Sequence, residues 1–320
     1  MRKLVLNSDG FRLESLKTNE ANIEQLKVKI HNASLNHRDL WIAKGQYAGI
    51  KYPSVLGSDG MGYINERRVL INPSFNWIAN SLAQPNDFKI LGLPDEGTFQ
   101  DEITVNKEQV YDVPPHLTDQ EAASLPLAGL TAYRALYTRC RTDEKDRVLI
   151  NGIGGGVALL AAQFALATGC EVWATSGSDE KLQKAQSLGI SGGVNYKNPD
   201  WSKILKEQAG GFDVIIDGAG GASLVGLLNV CNPGAKIGIY GGTSGKIENV
   251  SPQAIFWKQV SILGSTMGSS QEFAQMLGFV DYHKIHPIVD SIFDLEDYQK
   301  AFDRMESGAQ FGKIVLKIAD

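Results

Sequence analysis

The sequence has little of what would tie it to an oxidising compartment, a membrane or nucleic acid. Only three cysteines, Cys140, Cys170 and Cys231, occur in 320 residues, and they lie far apart. They make no Cys-x-x-Cys pair and no disulfide framework, which fits a reducing cytoplasm. No run approaches the ~18 apolar residues of a membrane span. The opening stretch, MRKLVLNSDGFRLESL, starts basic but has no apolar core, so no signal peptide is expected. Net charge is −5, and lysines and arginines are scattered with no basic helix, which argues against nucleic acid. There is no internal repeat and no low-complexity segment. Apolar residues make up 43% and charged residues 21%, the balance of a globular protein long enough for two domains.

What the sequence does have is glycine in a telling place. Residues 147–169, RVLINGIGGGVALLAAQFALATG, read in three parts. An apolar run of strand type at 147–151 leads into Gly152-Ile153-Gly154-Gly155-Gly156, a tight turn that glycine makes easily. A compact apolar helix from Val157 to Thr168 follows, stopped by Gly169. Strand, glycine turn and helix together make a phosphate site, because uncovered backbone N–H groups face outward at the positive end of the helix dipole. The first expectation is therefore a bound dinucleotide.

The first 120 residues read as β-rich, with strands at 4–7, 11–16 and 26–33, and further ones at 68–72 and 102–105. A short helix is expected at 36–44, with Asn36 near its cap. The loop 46–54 precedes Gly57, Gly60 and Gly62, which imply close backbone packing or tight turns. An extended loop at 112–118 suits a domain crossing, and a helix starting at Asp119 is interrupted by Pro126. From Arg147 the texture changes. Strands at 170–175, 193–196, 212–217, 235–240 and 261–266 alternate with helices at 179–188, 201–209, 222–231 and 252–258. That alternation gives an α/β fold with a doubly wound parallel sheet and right-handed crossovers. The tail leaves the pattern, with helices at 271–281 and 295–307 and strands at 287–293 and 313–318. A lone terminal strand is an unpaired edge, so its expected home is the first domain. The domains are then 1–120 with 268–320, and 121–267.

The second strand of a dinucleotide fold ends near the adenosine ribose, about 20 residues past the glycines. Here it runs into Ser176-Gly177-Ser178-Asp179-Glu180-Lys181 with no carboxylate at its tip. Two hydroxyls, exposed N–H groups and Lys181 suit a 2′-phosphate, and Tyr196 ends the next strand beside it. NADPH is expected over NADH. The plainer alternative is that Ser178 or Asp179 caps the following helix and Lys181 is merely solvated.

Across nearly its whole length the chain resembles the medium-chain dehydrogenase/reductases, and within them the zinc-free quinone oxidoreductases. The motifs that carry this are Asn36-His37-Arg38-Asp39 with Gly45-Gln46-Tyr47; Leu56-Gly57-Ser58-Asp59; Leu125-Pro126-Leu127-Ala128-Gly129-Leu130-Thr131-Ala132-Tyr133; the glycine turn with Val157; Ser176 to Lys181; Asn195-Tyr196; and residues 261–269. The resemblance implies a GroES-like β-rich catalytic domain, a Rossmann domain and a C-terminal return to the first. Two departures stand out. Ala158 takes the last place of the glycine motif, and the segment after Gly62 is shorter than the family's usual hairpin.

Zinc-dependent relatives use cysteine, histidine with an acid, and a third cysteine or acid. This chain has Asn36, Ser58 and the apolar Leu127 neighbourhood at those places, keeping only Asp59, and residues 85–105 hold no cysteine. No metal is therefore expected, and His283-x-x-His286 before Pro287 reads as a loop pair. Without a metal, charge developing on a reacting oxygen must meet hydrogen-bond donors. The resemblance places Asn36 and Tyr47 beside the nicotinamide as the catalytic pair, Tyr47 as donor or as aromatic wall. It gives His37 a pyrophosphate-facing place, against the plainer alternative of a helix-surface histidine, and Thr131 a contact to the nicotinamide amide, against that of a hydroxyl packed in its helix. Asp39 is expected to be structural, pairing with Arg38 or Arg134. A small carbonyl or quinone substrate suits a lone phenol donor, because an enolate or hydroquinone anion is already stabilised. The alternatives are a zinc-independent alcohol or aldehyde dehydrogenase, an enoyl-thioester reductase, and an NADPH-binding sensor without turnover. The strand at 261–266 should be an apolar edge, and the resemblance implies that two such edges meet across a two-fold axis in a homodimer.

Overall fold

The structure is a computed structural model and describes residues 1–16, 20–79 and 82–319. The chain divides into two compact units, Met1–Leu130 with Met267–Asp320, and Thr131–Thr266.

The β-rich unit is organised around the strand Gln25–Ser34. Polar and apolar residues alternate there, so Val28 and Ile30 are buried while Lys27 and Lys29 face outward. The main sheet runs Val110–Asp112, Arg67–Ile71, Asp59–Ile64, Gln25–Ser34, Lys313–Lys317, Val289–Asp294, with Glu102–Asn106 also paired to Gln25–Ser34. The C-terminal strand thus joins a strand formed near residue 30, with Val315 opposite Ser34 in antiparallel register. Leu4, Val28, Ile30, Phe99, Phe302, Ile314 and Leu316 meet in its core.

The glycine-rich segment before this strand pair serves both expected purposes. Gly57 has φ +100°, a turn conformation, whereas Gly62 lies in the strand Asp59–Ile64. A Cβ on Gly62 would stand 2.1 Å from the Lys29 carbonyl oxygen, so any side chain would push the strands apart. The following hairpin is short, as its sequence implies. Ile64 pairs with Arg67, and Asn65 in the two-residue connection has φ +54°.

The sequence reading put the domain border at residue 120, but the structure keeps residues up to 130 with the β-rich unit. Side-chain hydrogen bonds explain this. Ser34 Oγ donates to the Ala123 carbonyl at 2.9 Å, and the Leu127 N–H donates to Asp59 Oδ1 at 2.7 Å. The helical stretch is broken as Pro126 implies, into Asp119–Ala123 and Pro126–Tyr133, and then widens into a π-helical Arg134–Arg139.

The second unit holds six parallel strands among the described residues. In chain order they are Arg147–Asn151, Glu171–Ser176, Gly192–Asn195, Phe212–Asp217, Cys231–Ile239 and Ser261–Gly264. In space they run third, second, first, fourth, fifth, sixth. This is the doubly wound order whose ligand crevice lies at the C-terminal strand ends, where the order reverses. The helix Gly156–Thr168 ends at Gly169 with φ +98°, as the sequence implies.

Candidate functional site

In the β-rich unit, the strand ends and the start of the helix His37–Ala43 gather a buried polar cluster. Asn36 is the helix N-cap residue and is 7% exposed. Its Oδ1 accepts from Lys313 Nζ at 2.7 Å, and its Nδ2 donates to Asp59 Oδ2 at 2.8 Å. Lys313 also donates to the Leu35 carbonyl at 2.7 Å and to Asp59 Oδ2 at 2.8 Å. Asp59, with no exposure, takes the Leu127 N–H on its other oxygen. Ser58 Oγ donates to the Leu91 carbonyl at 2.7 Å and accepts from Arg38 at 3.1 Å. Asp39 was expected to pair with Arg38 or Arg134; the Arg38 guanidinium makes its hydrogen bonds to Ser58 and the Leu91 and Leu93 carbonyls and reaches Asp39 only through its charge.

Asp39 is structural, as expected, and wholly buried. It accepts the Asn36 N–H at 2.8 Å and the Gly57 N–H at 3.4 Å. Burial pushes its carboxyl up to about 6, against the opposing pull of Arg38 and of the Asn36 N–H. A carboxyl raised on folding holds its proton more tightly in the native state. Its contribution to stability is therefore present at low pH and lost as pH rises from about 4 through 6. Relative to Asp39→Asn, the wild type should lose on the order of 3 kcal/mol of unfolding free energy between pH 4 and pH 7. Urea titrations of both proteins at the two pH values check this; a pH-independent difference would show that Asp39 is not held protonated.

Tyr47 is 38% exposed, and the Arg38 guanidinium lies over its ring, 5.3 Å from the centroid. His37, the first residue of its helix, keeps accessible surface, yet the protein crowded around it still desolvates the imidazolium. That desolvation, and after it the Lys313 charge, hold its imidazole below the ordinary range. His283 belongs to the helix Ser270–His283 and not to a loop, while His286 lies beyond it and its Nδ1 meets Glu121 at 2.9 Å. Among the described residues, no three histidine, cysteine, aspartate or glutamate side chains are gathered as metal ligands would be.

In the second unit, Gly152 has φ +78° and Gly154 φ +142°, conformations that favour glycine. Space beside Gly152 and Gly155 is open, with nothing within 4 Å of where a Cβ would stand. Gly155 is the N-cap of the helix Gly156–Thr168 and supplies no side-chain cap, so the first-turn N–H groups of Gly156, Val157 and Ala158 meet no capping side chain. Ala158 is 2% exposed and small enough for its packed place. The Lys181 side chain folds over the turn, its Nζ 3.3 Å from where a Gly154 Cβ would be.

At the tip of the second strand, Ser176 Oγ donates to the Ile153 carbonyl, tying tip and turn together. Ser178 caps the helix Asp179–Gln186, its Oγ accepting from the Lys181 N–H, so that part of the plainer alternative holds. Tyr196, 47% exposed, lays its hydroxyl against Gly177, 2.6 Å from where a Cβ would stand. The two nearby acids are engaged elsewhere. Asp179 accepts from Asn195 Nδ2 at 2.9 Å, and Glu180 pairs with Lys184 at 2.7 Å. Thr131 is 5% exposed within the helix Pro126–Tyr133.

Sequence reasoning missed two sets of residues. One is Lys313, with the bonds by which Arg38 holds Ser58 and the Leu91 and Leu93 carbonyls. The other is a buried chain across the strand ends: Thr175 Oγ1 takes the Gly152 N–H and donates to Asn151 Oδ1, and Asn151 Nδ2 donates to Asp217. Asp217 in turn accepts the Ala219 and Gly220 N–H groups, so one carboxylate ties Asn151 to the turn that follows its own strand. The available signal was a polar residue closing each of three apolar strands at the ligand-binding end of a parallel sheet.

Known proteins match both halves of the chain. Residues 22–115 match the family described as alcohol dehydrogenase GroES-like domain, and residues 156–281 the family described as zinc-binding dehydrogenase. The zinc-type alcohol dehydrogenase-like protein YogA of Leptosphaeria maculans is 35% identical over 92% of this chain and 90% of its own. The quinone oxidoreductase-like protein 2 of Bos taurus is 25% identical over 92% of this chain and 85% of its own. A crystal structure of an NAD-dependent alcohol dehydrogenase superposes with a TM-score of 0.94 at 30% identity, covering 100% of both chains. With a GroES-like unit completed by the C-terminal strand and a Rossmann unit with an open phosphate turn, the chain belongs to the medium-chain dehydrogenase/reductase superfamily of oxidoreductases.

Proposed function

We propose that this protein is an NADPH-dependent reductase of quinones or α,β-unsaturated carbonyls that works without a metal. The observation that carries the reading is the filled cluster at residues 36, 58 and 59. An amide and a hydroxyl stand where metal-dependent relatives have thiolate and imidazole, and a lysine ammonium already bonds the amide and the one acid. A divalent cation there would meet a buried positive charge and two ligand types it takes poorly, so these residues do not fit zinc. For the cofactor the residues do fit. The open glycine turn suits a pyrophosphate, and Lys181 with Tyr196, beside acids committed elsewhere, suits a 2′-phosphate.

The nicotinamide, when bound, supplies hydride. The chain supplies hydrogen-bond donors for the oxygen that becomes negative. Tyr47 offers its phenol, with the ring steadied by Arg38, and Asn36 offers an amide N–H. His37 and Thr131 are the candidates that family likeness gives for the pyrophosphate and the nicotinamide amide. NADPH oxidation measured with quinones, enones, enoyl thioesters and aldehydes tests it. Quinones or enones should turn over fastest, and Tyr47→Phe should lower kcat by about 100-fold if the phenol delivers the proton. Unchanged turnover in Tyr47→Phe makes the ring a wall. Fastest turnover of a simple aldehyde with NADH, or of an alcohol with NAD+, would instead favour the chemistry named for the NAD-dependent structural neighbour. Tight NADPH binding with no turnover would make the protein a sensor, and stoichiometric zinc in the purified protein would overturn the metal-free site.

We further propose a homodimer through the strand Ser261–Gly264, in a reducing, cytoplasmic compartment. This strand is at the sheet edge, with Ile262 38% exposed and Phe256 and Trp257 exposed nearby in sequence. All three cysteines are free and buried, and burial raises the thiols of Cys170 and Cys231 to about 11. No helix among the described residues is long and apolar enough to cross a membrane. Sedimentation equilibrium should give a dimer, and Ile262→Asp should shift it to monomer. A wild-type monomer at micromolar concentration sinks this assignment.

A further inference from the structure

We propose that Lys313 is a positioning residue of this site: its ammonium locks the Asn36 amide in one orientation and so presents one of its N–H bonds to the reacting oxygen. The inference rests on the reductase reading for its kinetic consequence, but not for its geometry.

The register of the sheet brings the two residues together. Val315 stands opposite Ser34 in an antiparallel pair, and just past the end of that strand the Leu35 N–H donates to the Ile314 carbonyl at 2.9 Å, which sets Lys313 beside Asn36 at the start of the helix. There the ammonium spends three donors on three acceptors, the Leu35 carbonyl, Asn36 Oδ1 and Asp59 Oδ2. An ammonium can only donate and a carboxylate can only accept. The amide edge beside Lys313 must therefore be oxygen, and the edge beside Asp59 must be nitrogen. A flipped amide would set NH2 against the ammonium and oxygen against the carboxylate, two repulsions in place of two bonds. With Lys313 4% exposed and Asp59 fully buried, water cannot relieve either. One Nδ2 hydrogen goes to Asp59, and the second is left pointing away from this pair. Lys313 itself touches no reacting atom in this account; it acts through Asn36.

Two readouts on the full-length protein test the assignment. In the wild type the side-chain amide protons of Asn36, identified by their loss in Asn36→Leu, should be inequivalent and slow to exchange with solvent. Fast exchange would overturn the lock at once. Lys313→Met alone leaves a buried carboxylate uncompensated, so Lys313→Met with Asp59→Asn is the folded comparison. In that double variant the slow amide signals should vanish. With the best quinone or enone, kcat should fall by about 10- to 100-fold, while KM for NADPH stays within about twofold. Lys313→Arg, which keeps charge and donors, should recover most of the loss from Lys313→Met. A role in packing alone predicts that amide signals and kcat survive in the double variant, and that result would overturn the proposal. If no substrate is turned over, the reductase reading has failed. The amide signals then decide on their own, retention in the double variant counting against the lock and loss for it.

Discussion

Lys181→Ala should weaken NADPH binding by about 10- to 100-fold and leave NADH binding within about twofold, the worth of one charge-assisted hydrogen bond. The two cofactors differ by a single phosphate on the adenosine ribose, so only a residue that meets this phosphate can separate them. Lys181 starts one residue beyond the Asp179-Glu180 pair, and its side chain reaches back over Gly154. That position touches two sites, the ribose end and the pyrophosphate turn. Calorimetric titration with both cofactors decides between them. Selective loss of NADPH places the ammonium on the 2′-phosphate. An equal loss for both would place it on the shared pyrophosphate, and the preference for NADPH would then rest on Tyr196 and the hydroxyls at the strand tip. Salt should weaken NADPH binding to the wild type more steeply than to the variant, since one ion pair has gone.

Asp59→Ala should lower the stability of the β-rich unit by about 3–5 kcal/mol, the cost of leaving a buried charge without its partner. The carboxylate serves Lys313, Asn36, Ser34 and the Leu127 N–H at once. Removing it leaves a buried ammonium without its counter-charge and takes an acceptor from Asn36 Nδ2 and from the Leu127 N–H, while Ser34 keeps the Ala123 carbonyl. Asp59→Asn with Lys313→Met removes both charges, keeps a polar group at residue 59, and should regain most of the loss. Urea denaturation of the three proteins measures this. Equal midpoints for the single and double variants would show that the pair is not held as a charged unit.

Much of this was readable from local signals. The glycine turn, the helix behind it and the alternation of strand and helix after Arg147 depend on neighbours within a few residues, and each stands where the pattern puts it. The terminal strand was assigned to the first domain simply because an edge needs a partner, and it pairs with Gln25–Ser34. What resisted reading depends on distance. Asp59 and Lys313 are 254 residues apart, and nothing in the run Gly312-Lys313-Ile314-Val315-Leu316 says that its lysine points inward to an acid. The strand Asp59–Ile64 was obscured by its own glycines, which suggest turns unless one knows that the Lys29 carbonyl lies 2.1 Å from the missing Cβ of Gly62. The border at residue 130 in place of 120 follows from the same cause, because Leu127 is held by Asp59 through a bond no local pattern announces.

The closing of the first sheet by the strand Lys313–Lys317 also sets an order of events during synthesis. The parallel sheet is contained in residues 131–266, so it is complete in the chain before the β-rich unit has all its strands. Until residues 313–317 have been made, Gln25–Ser34 has a vacant flank where Lys313–Lys317 will pair, and Asp59 waits without a cation. The β-rich segment therefore exposes an unpaired strand edge, prone to aggregation, until residues 313–317 emerge. A stop codon placed just before residue 313 should release a chain with a folded dinucleotide half and an unfinished, aggregation-prone first half.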